Sequence, residues 1–208
     1  MMDTPATEAI CKPLVTNEAP DFKATAVMPD NSFNDQFTLS ALRGQYVLLF
    51  FYPLDFTFVC PSEILAFNRA LGQFKERNCE VVGVSMDSHF THLAWKNTDV
   101  NAGGIGNIQF PLVADLDKNI ARSYGVLLPM GIALRGLFLI DKEGFVRSQV
   151  VNDLPLGRSV DEALRVLDAL QFTERYGDVC PANWKKGEDA MTPTAEGVAS
   201  YLSKHAND

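Results

Sequence analysis

Apolar residues in this chain fall into two kinds of run. Tyr46-Val47-Leu48-Leu49-Phe50-Phe51 is continuous, aromatic and aliphatic, with no polar alternation. Such a run predicts a strand covered on both faces, as in a parallel sheet flanked by helices. Glu80 to Met86 predicts a second strand of this kind. Between them the spacing changes. Ile64, Leu65, Phe67, Ala70, Leu71 and Phe74 recur at helical intervals, and the helix they predict ends near Arg77-Asn78. Pro61 suits the first position of that helix, where its missing N–H would be unpaired anyway. Ser88 is placed to cap a further helix, with Phe90, Leu93, Ala94 and Trp95 as its apolar anchors. This β-α-β-α alternation implies that the two strands run parallel.

The flanks read differently. Phe22 to Val27 and Phe33 to Leu39 bracket the turn Pro29-Asp30-Asn31-Ser32 and predict an N-terminal hairpin, with a short helical turn over Leu39 to Leu42. Phe110 to Ala114 predicts a short strand and Asp117 to Tyr124 a short helix. Leu137 to Ile140 and Phe145 to Val151 flank Asp141-Lys142-Glu143-Gly144, a strong hairpin signal. Ser159 starts a last strong helix over Val160 to Phe172. Gly103-Gly104-Ile105-Gly106 lacks dinucleotide-loop spacing and joins no strand to a helix, so it reads as a flexible loop. The fold class is therefore α/β, alternating early and antiparallel late. The expected division is an arm over 1–19, one domain over 20–173 and a C-terminal arm over 174–208.

Composition narrows the functional classes. The 208 residues are 47% hydrophobic and 21% charged, which is ordinary for a globular chain. A net charge of −8 argues against a nucleic-acid partner, which wants a basic footprint. No apolar run approaches bilayer-spanning length. The N-terminus carries Asp3, Glu8 and Glu18 and no apolar signal core, so the expected location is the cytosol. There, thiols are more often catalytic or sensing than structural.

The four cysteines, Cys11, Cys60, Cys79 and Cys180, form no C-x-x-C pair and fit no zinc spacing. Cys79, just before an apolar run, reads as structural. Cys11 lies in the polar arm with nothing around it to activate it. Cys60 differs, because the pattern puts it at a helix N-terminus beyond the carboxyl end of a central strand, where open α/β folds place their sites. An ordinary thiol, with a pKa of about 8.5, is only roughly 3% ionised at pH 7. A helix N-terminus favours the anion. A lone Cys among Phe and Val otherwise reads as core. Pro61 at the helix start and the Thr57 hydroxyl three residues upstream favour the reactive reading.

Pro53-x-x-x-Thr57-x-x-Cys60 within FYPLDFTFVCPSE resembles the signature of the peroxiredoxins, in their typical two-cysteine branch. RGLFLID (Arg135 to Asp141), NDLPLGRSVDE (Asn152 to Glu162) and VCPANW (Val179 to Trp184) resemble the same branch, and the similarity runs from about Pro20 to the C-terminus. The resemblance implies a thioredoxin-like fold with an N-terminal β-hairpin extension and a C-terminal arm. It implies a peroxidase that reduces hydrogen peroxide and organic hydroperoxides, with Cys60 as the peroxidatic and Cys180 as the resolving cysteine. Thr57 would hold the peroxide, Arg135 would stabilise thiolate and peroxide, and Pro53 would shield the site. Glu63 and Arg158 would be their supporting ion pair. Cys180 would come from the neighbour in a head-to-tail homodimer, assembled into a ring of five dimers, with thioredoxin or a flavoprotein reductase as reductant. The chemistry needs no metal, haem or flavin.

The residues themselves leave some alternatives open. A thioredoxin-type dithiol needs its second thiol one turn after Cys60, and that place is Glu63, so a simple dithiol role is disfavoured. Sequence alone does not say which subunit supplies Cys180. His89 and His92, one turn apart, lack a third metal ligand, and no His and acid partner is placed to make Cys60 a hydrolase nucleophile. A holdase chaperone or peroxide sensor, with catalysis secondary, is the alternative function. Gly103-Gly104-Ile105-Gly106 and Tyr201-Leu202 each depart by one residue from the loop and tail of peroxide-sensitive relatives. They imply intermediate-to-high sensitivity to overoxidation.

Overall fold

The computed structural model describes residues 12–205. Cys11 lies outside the described residues. Within them, seven strands form a single sheet: β1 (Lys23–Val27), β2 (Phe33–Thr38), β3 (Tyr46–Phe51), β4 (Cys79–Ser85), β5 (Leu112–Ala114), β6 (Arg135–Ile140) and β7 (Val146–Asn152). Their spatial order is β2-β1-β5-β4-β3-β6-β7. β3 pairs parallel with β4, and β4 with β5, as the alternation requires; every other pairing is antiparallel. The helices are α1 (Cys60–Arg69), α2 (Leu71–Glu76), α3 (His89–Lys96), α4 (Asn119–Ser123), α5 (Val160–Tyr176) and α6 (Ala195–His205). The α/β, thioredoxin-like reading stands. The predicted Cys60 helix breaks once, at Ala70, between α1 and α2.

β3 shows why the central run carries no polar residue. All six of its residues are buried, and they alternate between two cores. Tyr46, Leu48 and Phe50 join Ile64, Phe67, Phe74, Trp95 and Leu167 on one face. Val47, Leu49 and Phe51 join Val84, Ile120, Tyr124 and Phe138 on the other. Adjacent side chains of a strand point to opposite faces, so a strand sandwiched between two layers must be apolar throughout. Gly83 keeps the first core closed, since a Cβ there would lie 2.8 Å from Leu112 and 3.0 Å from Phe50.

Several expectations are corrected. Phe90 and Ala94 are not anchors of α3: Phe90 is 66% exposed and Ala94 is exposed too, whereas Trp95 is buried as expected and His92 and Lys96 are buried with it. Lys96 lies inside because Nζ donates to the carbonyls of Met28 (2.6 Å) and Pro29 (3.3 Å), though burial pulls its pKa down to about 8. The loop 103–106 is tied to α3 rather than loose. Trp95 Nε1 donates to Gly103 O at 2.9 Å, Ile105 N to Trp95 O at 3.3 Å, and Ile105 is buried. Only glycine fits at 104, because a Cβ would sit 1.9 Å from Thr98 O. At the N-terminal side, Leu14 and Val15 pack on the second core, and Thr16 N and Ala19 N donate to Val146 O and Gly144 O. α5 runs to Tyr176 and stops at Gly177 in the left-handed conformation (φ 76°).

Candidate active site

β3 ends at Phe51, and the chain then loops through Pro53-Leu54-Asp55-Phe56-Thr57 before α1 opens at Cys60. The expected placement is met, with one detail changed: Cys60 itself begins the helix, and Pro61 follows within its first two positions. The first amides of α1 are engaged by the residue before it. Ser62 N and Glu63 N both donate to Val59 O, at 3.0 and 3.3 Å. The polar company of the thiol comes instead from side chains. Thr57 Oγ1 lies 3.0 Å from Cys60 Sγ, and Arg135 Nη1 lies 3.4 Å from it. Cys60 has no exposed surface, and Pro53, seven residues earlier in the loop, is buried as well.

A charged framework fixes this arrangement. Arg135 begins β6, next to β3 in the sheet. Its Nε donates to Leu154 O at 2.6 Å, and Nη1 donates to Glu63 Oε2 at 2.6 Å while facing the sulfur. Glu63 sits on α1 one turn after Cys60. It also accepts from Arg158 through backbone N (2.8 Å), Nε (2.8 Å) and Nη2 (3.1 Å). Arg158 Nη1 donates to the carbonyls of Phe51 (2.8 Å) and Gly136 (2.5 Å), so one guanidinium bridges β3, β6 and α1. Burial alone would raise the Glu63 pKa, but the hydrogen bonds and charge of Arg158, helped by Arg135, outweigh it and hold the carboxyl below its usual range. Burial pulls the Arg158 pKa down, partly offset by Glu63. Two arginines on one carboxylate leave a net positive charge beside Cys60.

The structure thus brings Cys60, Thr57, Arg135, Glu63 and Arg158 together. Cys180 is held elsewhere, against α5, as a half-buried free thiol. Its sulfur lies 3.7 Å from Ala169 O and 3.8 Å from Thr173 Oγ1. The arm around it is docked: Val179 and Met191 pair antiparallel, Trp184 is buried against Phe172, and Arg165 Nη1 donates to Trp184 O at 3.0 Å. Cys79 is buried, and burial pushes its thiol up to about 12.

One cluster escaped the sequence reading. A His and acid pair does exist, but it does not serve Cys60. His92 Nδ1 lies 2.7 Å from Asp55 Oδ2, its Nε2 lies 3.2 Å from Val113 O, and Tyr52 OH donates to Asp55 Oδ1 at 2.9 Å. Both imidazole nitrogens are engaged with groups other than the sulfur. Burial raises the Asp55 pKa against the lowering effect of His92. His89 makes no metal pair with it; its ring packs on Phe33 and Phe90. Among the described residues, no group of three His, Cys, Asp or Glu side chains forms a metal cage. No helix among them is long and apolar enough to cross a membrane. The only sequence signal for the Asp55–His92 pair was two ionisable residues inside otherwise apolar segments.

Comparison with known proteins covers most of the chain. The AhpC/TSA family model matches residues 15–149, and the C-terminal domain of 1-Cys peroxiredoxin matches residues 169–204. Peroxiredoxin-1 of Gallus gallus is 54% identical over 194 residues, covering 93% of this chain and 97% of that protein. Alkyl hydroperoxide reductase C of Buchnera aphidicola is 52% identical over 195 residues, covering 93% of this chain and 99% of that protein. The structure of the reduced Plasmodium vivax 2-Cys peroxiredoxin superposes with a TM-score of 0.90 at 55% identity, over 92% of this chain and 100% of that one.

Proposed function

The chain belongs to the AhpC/TSA family of peroxiredoxins, and we propose how its residues divide the work of a thiol-dependent peroxidase. Cys60 is the peroxidatic residue. Its thiolate attacks the terminal oxygen of a hydroperoxide, the S–O bond forms as the O–O bond breaks, and the leaving alkoxide or hydroxide takes a proton to become alcohol or water. The observation that carries this reading is the Cys60 sulfur lying between the Thr57 hydroxyl and the Arg135 guanidinium. Thr57 has one hydroxyl hydrogen and two neighbouring acceptors, the sulfur and Leu54 O at 2.8 Å. Its oxygen is therefore free to accept from an incoming hydroperoxide while its hydrogen stays on one of them. Arg135 donates to oxygen as negative charge builds there, the kind of fixed donor that lowers such a barrier. Pro53 keeps water from the sulfur. Glu63 and Arg158 orient Arg135.

Cys180 is the resolving residue. Cys180 of the partner subunit attacks the sulfenic sulfur, an S–S bond forms and water leaves. A thioredoxin-like dithiol or a flavoprotein reductase then restores both thiols by exchange. The assembly is a homodimer, extended to a ring of five dimers, and the compartment is the cytosol. Stopped-flow mixing with peroxide, followed by non-reducing electrophoresis, tests the scheme. C60S should consume no peroxide. C180S should consume one equivalent and then stop, and only the wild type should run as a disulfide-linked dimer. A C180S protein that still cycles with thioredoxin, or a disulfide confined to one chain, would overturn it.

A further inference from the structure

Thr57 sits at the end of a loop with no regular structure, yet its hydroxyl must meet the sulfur to within a few tenths of an ångström. The residue before it, Phe56, is in the left-handed region at φ 53°. A bulky side chain there is strained by the clash between Cβ and the carbonyl, so the surroundings must hold it. What holds it starts on the neighbouring strand. The backbone N–H of Asp55 donates to Asp87 Oδ2 at 2.8 Å. The same carboxylate oxygen accepts from Ser85 Oγ at 2.9 Å, and Ser85 Oγ accepts in return from Asp87 N at 3.2 Å. Ser85 is fully buried at the carboxyl end of β4. Asp87 follows it and precedes Ser88, the cap of α3, so its backbone is fixed on both sides.

We propose that Asp87, braced by Ser85, is a positioning residue for the peroxidase reaction: it pins the Asp55 amide, holds Phe56 in its strained conformation and thereby aims the Thr57 hydroxyl at Cys60. It touches neither sulfur nor substrate. A carboxylate just beyond the end of β4 sets the geometry of a loop that leaves β3, and this works because the two strands run parallel and end side by side. The proposal rests on the reading of Thr57 as the group that meets the peroxide.

The test uses Cys60 oxidation by hydrogen peroxide under single-turnover conditions in the C180S background, with Cys60 alkylation by chloroacetamide as a reaction that needs no Thr57. D87A should slow oxidation roughly 10- to 100-fold, the scale for a misplacement of about 1 Å, and leave alkylation within about 3-fold. Asp87→Asn keeps an oxygen that accepts from the Asp55 amide, so oxidation should stay within about 3-fold of the parent. Phe56→Asn, which tolerates the left-handed region, should make D87A at least about fivefold less harmful than in the Phe56 protein. D87A at parental speed, alkylation falling in step with oxidation, or no relief from Phe56→Asn would each overturn the proposal. S85A removes the brace more gently and carries the same cycle if D87A does not fold. T57V oxidised at parental speed would fault the role of Thr57 instead. Hydrogen exchange over residues 54–58 would then decide for Asp87, accelerated by D87A if it is the pin and unchanged if it is not.

Discussion

Arg135 and Arg158 share one carboxylate but should fail in different ways when each is replaced by Met. Arg135 directs one N–H to Glu63, one to Leu154 O, and faces the sulfur. Without it Glu63 keeps three donors, all from Arg158, so the framework survives. The structural loss is one carbonyl left without its donor and one charged hydrogen bond, about 1–3 kcal/mol. The chemical loss is larger. Removing a preorganised donor from a developing negative charge costs about 3–4 kcal/mol, or roughly 10²- to 10³-fold in rate. Arg158 makes the opposite case. It supplies three of the four donors to Glu63 and satisfies Phe51 O and Gly136 O. In R158M the backbone N–H still reaches Glu63, but two of the four donors to this buried carboxylate are lost and two carbonyls lose a charged donor, about 3–5 kcal/mol. At roughly 2–4 °C per kcal/mol for a chain of this size, R158M should lower the melting temperature by about 6–20 °C. The assay pairs stopped-flow oxidation of Cys60 with thermal unfolding of the reduced proteins at one concentration. R135M should be the slower enzyme and R158M the less stable protein. If R135M melts as early as R158M, or oxidises within about 3-fold of wild type, the division of labour argued from the hydrogen bonds is wrong.

Two buried carboxyls should respond to pH with opposite signs. The Glu63 pKa is held below its ordinary 4.5, so its contribution to stability is present above that value and lost as pH falls through the folded value. Chemical denaturation should show wild type losing its advantage over E63Q in acid, and a constant difference would contradict the network. Asp115 is the reverse: burial raises it from 3.8 to about 6, although Ile120 N and Ala121 N donate to it. Its contribution is full below 3.8 and lost as pH rises through about 6. Stability should therefore shift in favour of D115N by on the order of 2 kcal/mol between about pH 4.5 and pH 7. Graded peroxide followed by mass spectrometry should find Cys60 sulfinic acid accumulating at intermediate-to-high sensitivity, and a Cys60 that resists high peroxide would refute the argument from the loop and tail.

What was legible in the sequence was what apolar periodicity and chain breakers encode. β3 announced itself because both faces are covered, and the start of α1 because Pro61 tolerates few other places. The interior of α3 was misread for a physical reason. His92 and Lys96 are polar, so counting apolar residues puts them outside. Their ring nitrogens and ammonium find acceptors from the Asp55 loop, Val113 and the β1–β2 turn, partners that no local window contains. The loop at 103–106 was misread because glycine signals both looseness and close approach. Only the Thr98 carbonyl beside Gly104 distinguishes the two. Thr57 was marked by its spacing from Cys60, whereas Arg135, Glu63 and Arg158 came through resemblance, since three separate stretches of chain supply one cluster. Asp87 gave no sign, because its task is to hold a backbone amide.

The seclusion of Cys79 has a practical use. It is buried in the same sheet as the site, free, and pushed up to about 12 by that burial. Any reagent that marks thiols in the folded protein should pass it by, whereas one that opens the fold should mark it at once. Peptides carrying Cys60, Cys79 and Cys180 from one digest would therefore report chemistry at Cys60 and Cys180 and integrity of the fold in a single measurement, with Cys79 as the sentinel for damage.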